Sequence, residues 1–433
     1  MRYRLAIPLI MGGLFGALAV LWLAGPQSLY VALLTASGIG VGKVPFLDLH
    51  AVTAAIECHG RGIDVYLANP CDILGRPHAY SPLWLDLGPG LVRDQDAAWL
   101  GAGLDLLVIL CLPLIIRPRS LAEFTLFLLA TTSTMVVYAL ERANIDIVVF
   151  LLAVGAGVLY RRPRLVGVSY ALCVIGACLK YYPLAGLILL VRERGRTLPL
   201  PLAGIAAALA GFVLVYAGEL RTALGNIPAA ASVYTDSFSA RNLPAGIVDL
   251  LSWPPGAGRL VAAAIFLVLL CSAVGRAQRL SRALAAANDA TPEPEATCLL
   301  LGATLVLFCF LASENVGYRG ILFLLVLPGL VARRRGAAEA ERRWLSAMIA
   351  AVLFIMWGEF LRRGLDGAMV ALAMPEWAMA RLELLFWLGR ELLWWWLAAG
   401  LAALVLDAVR RAPLTEDALA LLQRWRGGAA LRR

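Results

Sequence analysis

The sequence predicts an all-α polytopic membrane protein with about 12 transmembrane helices, and three observations carry that prediction. Hydrophobic residues fill 61% of the 433 positions and charged residues only 15%, with a mean hydropathy of +0.79. A soluble chain of this size carries about a quarter charged residues. The apolar positions gather into runs close to the roughly 20 residues that a helix needs to cross hydrocarbon. Arginine-rich turns fall at every second connection between those runs, as the positive-inside pattern requires.

The candidate spans are 5–24, 98–116, 121–140, 145–160, 165–180, 183–191, 198–217, 259–275, 296–312, 319–331, 343–358 and 387–407. The first follows the basic start Met1–Arg4. No small-x-small cleavage pattern separates it from polar sequence, so a retained anchor is expected rather than a signal peptide. Ser28–Gly42 is also mostly apolar. It is read as interfacial or re-entrant, because a crossing there would reverse the side of every later basic turn.

With the N-terminus cytoplasmic, the inner connections are Arg117–Arg119, Tyr160–Arg164, Arg192–Arg196, Arg276–Arg282, Arg333–Arg343 and the tail from Arg410. The long loop at 45–97 then lies outside; between Asp48 and Asp96 it holds seven acidic and three basic residues. The chain divides into a transmembrane domain at 1–410 and a cytoplasmic amphipathic tail at 411–433. In the tail, Thr415 is the expected N-cap of a surface helix over Thr415–Arg426. Asn288–Glu295 reads as an inner turn. The net charge of +9 is spread over short clusters beside spans, which points to membrane lipids and not to nucleic acid as the partner.

Six cysteines, Cys111, Cys173, Cys178, Cys271, Cys298 and Cys309, fall in or beside spans. Cys58 and Cys71 share the long loop and are expected to form a disulfide if that compartment is oxidising. Pro70, Pro77 and Pro82 stiffen the same loop, and Leu47–Glu57 reads as an interfacial helix with Asp48 in its first turn. Such a loop is either a cap over the bundle or part of an active site.

Further polar groups map to the same face. Glu141, Arg142, Asn144 and Asp146 sit between two spans, where charge is costly in lipid and must face protein or water. A structural hairpin accounts for Glu141 and Arg142 better than for Asn144 and Asp146. Lys180-Tyr181-Tyr182-Pro183 interrupts an apolar stretch, and the lysine either snorkels or serves as a cation at a helix break. Tyr234, Asp236, Arg241 and Asn242 occupy one later loop; Glu314, Asn315, Tyr318 and Arg319 occupy another, where Arg319 either pairs with Glu314 or binds phosphate. Acids and cations gathered on one face suit an amphipathic, phosphate-bearing substrate.

The sequence Asp48-Leu49-His50, then Glu141-Arg142-Ala143-Asn144-Ile145-Asp146, then Lys180-Tyr181-Tyr182-Pro183 resembles the GT-C fold glycosyltransferases. Within them it is most similar to the glycosyltransferase 87 (DUF2029) family of polyprenyl-phosphate-sugar-dependent enzymes. The stretches Asn69–Trp84 and Glu314–Gly320 are similar to an uncharacterised subgroup of GT-C-like bacterial membrane proteins, and the likeness covers roughly residues 40 to 330.

The resemblance implies a GT-C-like bundle in the bacterial inner membrane with both termini cytoplasmic. It implies an inverting transfer of a hexose from a polyprenyl-phosphate donor to a glycan or lipid acceptor on the extracytoplasmic side. Asp48 takes the part of catalytic base. Glu141, Arg142, Asn144, Asp146, Lys180, Tyr181, Arg241, Asn315, Tyr318 and Arg319 are the substrate-binding candidates. Many such enzymes carry paired acids in the first outer loop, whereas Leu49 and His50 follow Asp48 here; no metal and no cofactor are expected. The competing readings are a transporter or flippase for a lipid-linked sugar and a non-catalytic envelope assembly protein.

Overall fold

A computed structural model describes residues 3–227, 232–285 and 291–430. Met1, Arg2, the Asn288–Ala290 part of the expected inner turn and the last three residues of the tail lie outside them. The chain folds into helices α1 (Ala6–Ala24), α2 (Gln27–Ala36), α3 (Leu47–Gly60), α4 (Ala97–Ile115), α5 (Leu121–Thr131), α6 (Thr134–Arg142), α7 (Ile145–Tyr160) and α8 (Val166–Leu179). There follow a 3₁₀ helix at Tyr182–Arg192, then α9 (Pro199–Gly225), α10 (Asn242–Leu250), α11 (Pro255–Ala285), α12 (Glu293–Ala312) and α13 (Phe323–Gly336). The last are α14 (Glu339–Met356), α15 (Gly358–Ala371), α16 (Glu376–Arg410) and α17 (Pro413–Ala430). Two short strands, β1 (Ser237–Phe238) and β2 (Asn315–Val316), pair antiparallel.

Among the described residues, six helices are long and apolar enough to cross a membrane: α1, α4, α9, α11, α12 and α16. The count reaches eight if α5 with α6, bent by 44°, and α14 with α15, bent by 64°, each make one span. The expected twelve are not reached on this count. The stretches 145–160, 165–180 and 183–191 are helical but only 16, 14 and 11 residues long. At 1.5 Å per residue, α7 and α8 reach about 24 and about 21 Å, short of a hydrocarbon layer of about 30 Å.

Other boundaries move as well. α16 begins at Glu376, eleven residues before the expected start, and α15 falls where no element was expected. Its strongly amphipathic sequence hides it from a test for uniformly apolar runs. Ser28–Gly42 supplies only the ten-residue α2, which packs the Tyr30 ring against Trp22 of α1. α17 starts at Pro413, and the Thr415 hydroxyl donates back to the Val409 carbonyl at 2.6 Å instead of capping the helix.

α12 and α13 form the centre of the bundle, and nearly every α13 side chain is buried. Trp394 of α16 stacks on Phe238, Phe310 and Phe323 with centroids 4.5, 5.8 and 5.7 Å away, so α16 is clamped to both central helices and to β1. The arginine-rich turns converge on one end of the molecule. There Arg335 donates to Glu123 at 2.8 and 2.7 Å, Arg194 lies 3.6 Å from Asp417, and Arg410 donates to Ser281 at 2.8 Å. The Asp48 loop lies at the other end.

Cys58 and Cys71 are joined in a disulfide that ties the loop to the last turn of α3. Mass spectrometry after alkylation without reduction should therefore find both thiols blocked. Cys71→Ser should weaken the loop by about 3 kcal/mol, the entropy of closing a short loop, and make it the first site of proteolysis.

Candidate functional site

Two turns that single residues force into left-handed geometry build the site. Phe46 has φ 59° and Ala143 has φ 41°, a region that side chains resist and that collects at functional positions. One ends where α3 begins, and the other reverses the chain between α6 and α7. The Phe46 amide donates to the Glu141 carbonyl at 2.7 Å, so the two turns are locked together. Gly101 of α4 makes room for this, since a Cβ there would sit 2.5 Å from the Phe46 ring. The result sets Asp48, two residues past Phe46, beside Asn144, one residue past Ala143.

Asn144 is the joint of the site. Its side chain caps α7 by accepting from the Asp146 amide at 3.0 Å. The same oxygen accepts from the Lys180 ammonium at 3.2 Å, while the amide nitrogen donates to Asp48 Oδ2 at 2.8 Å. One fully buried side chain thus couples the lone carboxylate of α3 to a deeper charged cluster.

In that cluster Asp146 Oδ2 lies 2.9 Å from Lys180 Nζ and 3.3 Å from Arg319 Nε, and Oδ1 accepts from the Tyr182 hydroxyl at 2.7 Å. Two cations surround one buried carboxylate, so the cluster retains a net positive charge. Tyr182 also lies under the Arg319 guanidinium at 5.2 Å, and Tyr80 lies under Lys180 at 5.4 Å. Asn315 donates its amide to the carbonyls of Phe238, Cys309 and Ser313 at 3.1, 2.6 and 2.7 Å, and accepts from Arg319. It fixes the β2 turn and aims Arg319.

Around Asp48, Oδ1 faces Arg76 at 3.3 Å and Arg142 at 3.8 Å. Arg76 comes from the disulfide-closed loop and also donates to the Leu47 carbonyl at 3.0 Å and to Asp72 at 2.9 Å. Burial alone would raise the Asp72 carboxyl, but hydrogen bonds from Arg76 hold it below the ordinary range. His78, packed between Tyr66 and Tyr80, is pushed down to about 4 by burial, which keeps the imidazole neutral. Arg142 donates to the Gly40 carbonyl at 3.0 Å and lies over the Tyr138 ring. Tyr138 meets Tyr318 edge-on at 5.7 Å.

The structure therefore brings together Asp48, Arg142, Asn144, Asp146, Lys180, Tyr318 and Arg319, with Asn315 in support. It does not bring in three of the expected residues. The Glu141 side chain is buried and reaches only Arg142, whose Nε lies 3.6 Å from its carboxylate; among the described residues neither of its carboxyl oxygens accepts a hydrogen bond. Tyr182, not Tyr181, reaches Asp146; the Tyr181 hydroxyl is buried without a partner among the described residues. Arg241 is exposed at the start of α10 and touches neither cluster. Arg319 pairs with Asp146 at 3.3 Å, a partner outside the two readings given for it from the sequence. Arg76, Tyr80, Tyr138 and Tyr182 join the site although none of them stood among the expected binding residues. A second buried acid, Asp105 of α4, was also passed over. Among the described residues no three His, Cys, Asp or Glu side chains gather as metal ligands would.

Asp236 borders the site from the turn before β1, with its carboxylate against Gly317. Burial, with the nearby charge of Glu359, raises it from the ordinary 3.8 to about 7, against the pull of Arg390 and Arg362. The fold thus holds a proton that the unfolded chain releases from about pH 4 upward, so this group lowers stability as pH rises from about 4 to about 7. Thermal unfolding across that window should show Asp236→Asn losing less stability than the parent; parallel profiles would contradict the assignment.

No family model, curated protein or solved structure matches this chain. What fold and site define is a multi-pass helical membrane protein with a buried, charge-paired polar site at the end opposite its arginine-rich turns.

Proposed function

We propose that this protein is an inverting glycosyltransferase that moves a sugar from a polyprenyl-phosphate donor to a glycan or lipid acceptor at the extracytoplasmic face of the bacterial inner membrane. The observation that carries the reading is the Asn144 joint, which holds one carboxylate, Asp48, beside a cluster in which Lys180 and Arg319 outnumber Asp146. A base and an anion-binding centre side by side are what attack on a phosphate-linked sugar requires. The GT-C-like order of motifs supports the same reading.

In this scheme the acceptor hydroxyl gives its proton to Asp48 while its oxygen bonds to the anomeric carbon. The bond from that carbon to the phosphate oxygen breaks, and the phosphate leaves with the electron pair toward Lys180 and Arg319. A phosphate leaves without prior protonation, so a single carboxylate suffices and the anomeric carbon inverts. Both Asp48 oxygens are engaged at rest. Arg76, whose side chain keeps 35% of its exposure, is the partner free to give way to an acceptor.

The test is transfer of radiolabelled sugar from a panel of polyprenyl-phosphate sugars in membranes containing the purified, reconstituted protein. Transfer establishes the class and names the donor. Binding or movement of a donor with no transfer across the panel rejects the enzyme in favour of a transporter.

A further inference from the structure

We infer that the disulfide-closed loop and the helix break at Tyr181 together form a binding site for an uncharged sugar ring, next to Asp48. A group of buried polar atoms that the fold leaves without partners carries the inference. Among the described residues these are the hydroxyls of Tyr66 and Tyr181, both ends of the Asn69 amide, Nδ1 of His78 and Nε1 of Trp84. Tyr66, Asn69 and His78 are 7, 1 and 2% exposed, so bulk solvent does not satisfy them. Roughly 90% of buried polar groups are paired; this many open atoms in one loop and the turn facing it call for a partner from outside the chain.

These residues are neighbours in space. The Tyr66 and His78 rings meet edge-on at 5.3 Å, and His78 lies 5.8 Å from Tyr80. The Tyr66 and Tyr181 hydroxyls are within electrostatic reach of each other, and Tyr80 and Trp84 pack on the hydrophobic cluster to which Tyr66 belongs. One wall is the loop, which Asn226 at the end of α9 holds by donating to the Tyr66 and His78 carbonyls at 2.7 and 3.0 Å. The other wall is Tyr181, at the break between α8 and the 3₁₀ helix. A ring entering between loop and bundle meets both. The stretch from Arg76 to Tyr80 ties this place to the reaction centre: Arg76 reaches Asp48, His78 stands among the open atoms, and Tyr80 lies under Lys180 at 5.4 Å.

The chemistry of the open atoms selects the ligand. His78 Nε2 lies 3.4 Å from the Ser81 carbonyl, so Nε2 carries the proton and Nδ1 is an acceptor. Trp84 Nε1 only donates, whereas the tyrosine hydroxyls and the Asn69 amide do both. A phosphate or carboxylate only accepts, and an ammonium only donates. A sugar hydroxyl does both, and the C–H face of its ring suits the aromatic side chains beside it. The open atoms belong to uncharged groups, since burial keeps the His78 imidazole neutral. The cations beyond Tyr80 are engaged already, Lys180 by Asp146 and Arg76 by Asp72 and Asp48. The ring belongs to the donor or to the acceptor, and that choice rests on the transfer proposed above; the binding of a neutral sugar does not.

The test titrates the full chain, in phospholipid nanodiscs free of sugar detergents, with a panel of neutral methyl hexosides followed by saturation-transfer NMR. At least one hexoside should bind saturably, and tetrahydropyran-2-methanol, a similar ring without the ring hydroxyls, should not. Tyr66→Phe combined with Tyr181→Phe removes two unpartnered hydroxyls and no ring. The double variant should therefore keep or raise the unfolding temperature and weaken hexoside binding about tenfold or more, the worth of two neutral hydrogen bonds. Unchanged affinity in the double variant overturns the site; if its unfolding temperature also falls, the hydroxyls serve buried water. Equal binding of the stripped ring, or no binding by any hexoside, overturns it on the parent chain alone, which decides if the variant does not fold. Displacement of the hexoside by a short-chain prenyl-phosphate hexose and not by prenyl phosphate places the donor's sugar here; no displacement by either places the acceptor's; displacement by prenyl phosphate overturns a neutral site. Hexoside binding without sugar transfer leaves this site standing and removes the transferase, and transfer without hexoside binding does the reverse.

Discussion

Asp48→Asn should lower sugar transfer by a factor of about 10² to 10⁴, the usual worth of a positioned general base, and leave donor binding close to the parent value. The amide keeps the size of the carboxylate and an oxygen for Arg76 and Arg142, but it cannot take a proton from an acceptor. It also turns an NH₂ toward the Asn144 amide, which now donates to Asp48 at 2.8 Å. That clash of donors costs about 1 to 3 kcal/mol, so unfolding temperature must be read beside turnover. Donor binding reports on Lys180 and Arg319, which this substitution leaves in place. Wild-type turnover in Asp48→Asn would remove the residue from the chemistry, whereas loss of both binding and turnover would give it a structural role.

The second large effect belongs to Asp146. Replacing it with Ala leaves Lys180 and Arg319 buried with no carboxylate between them, and unpaired buried charge costs about 3 to 5 kcal/mol. Lys180→Met should be milder for the fold, because Arg319 and the Tyr182 hydroxyl still satisfy Asp146. It should instead weaken donor affinity about tenfold or more, since the cluster loses its surplus positive charge. Denaturant unfolding in detergent and donor titration of the two variants separate these outcomes. The reading fails if Asp146→Ala is as stable as the parent, or if Lys180→Met binds donor unchanged.

Some of this site was readable in the sequence for local reasons. Asn144 followed by Asp146 is an N-cap with an acid in the first turn, and a proline three residues after Lys180 stops a helix; both signals work over a few residues. What escaped depends on distance and rotation. Arg76 meets Asp48 across 28 positions of an irregular loop, and no periodicity records that approach. Tyr181 and Tyr182 are equivalent as text, and only the turn of the 3₁₀ helix decides which hydroxyl meets Asp146. The fold shows the same division. α1 and α4 stand out as apolar runs, but the break at Thr132-Ser133 between α5 and α6 has neither glycine nor proline to announce it. Asp105 was hidden by its setting, one acid in a stretch whose average is strongly apolar.

The shortness of α8 and of the 3₁₀ helix after it has a consequence for the lipid around them. Val168, Ile175 and Leu184 on this hairpin are outward-facing, between 41% and 46% exposed, so bilayer meets it directly. Lipid must match a wall about 21 Å high there, while α16, at 35 residues, is about 52 Å long. A bilayer fitted to both is pinched on the hairpin side, at a cost of fractions of a kcal/mol per Å. The pinch brings the headgroups of that leaflet down toward the plane of Lys180; under the proposed function, a donor's phosphate would come to the charged cluster along a local dip in the membrane instead of climbing out of it.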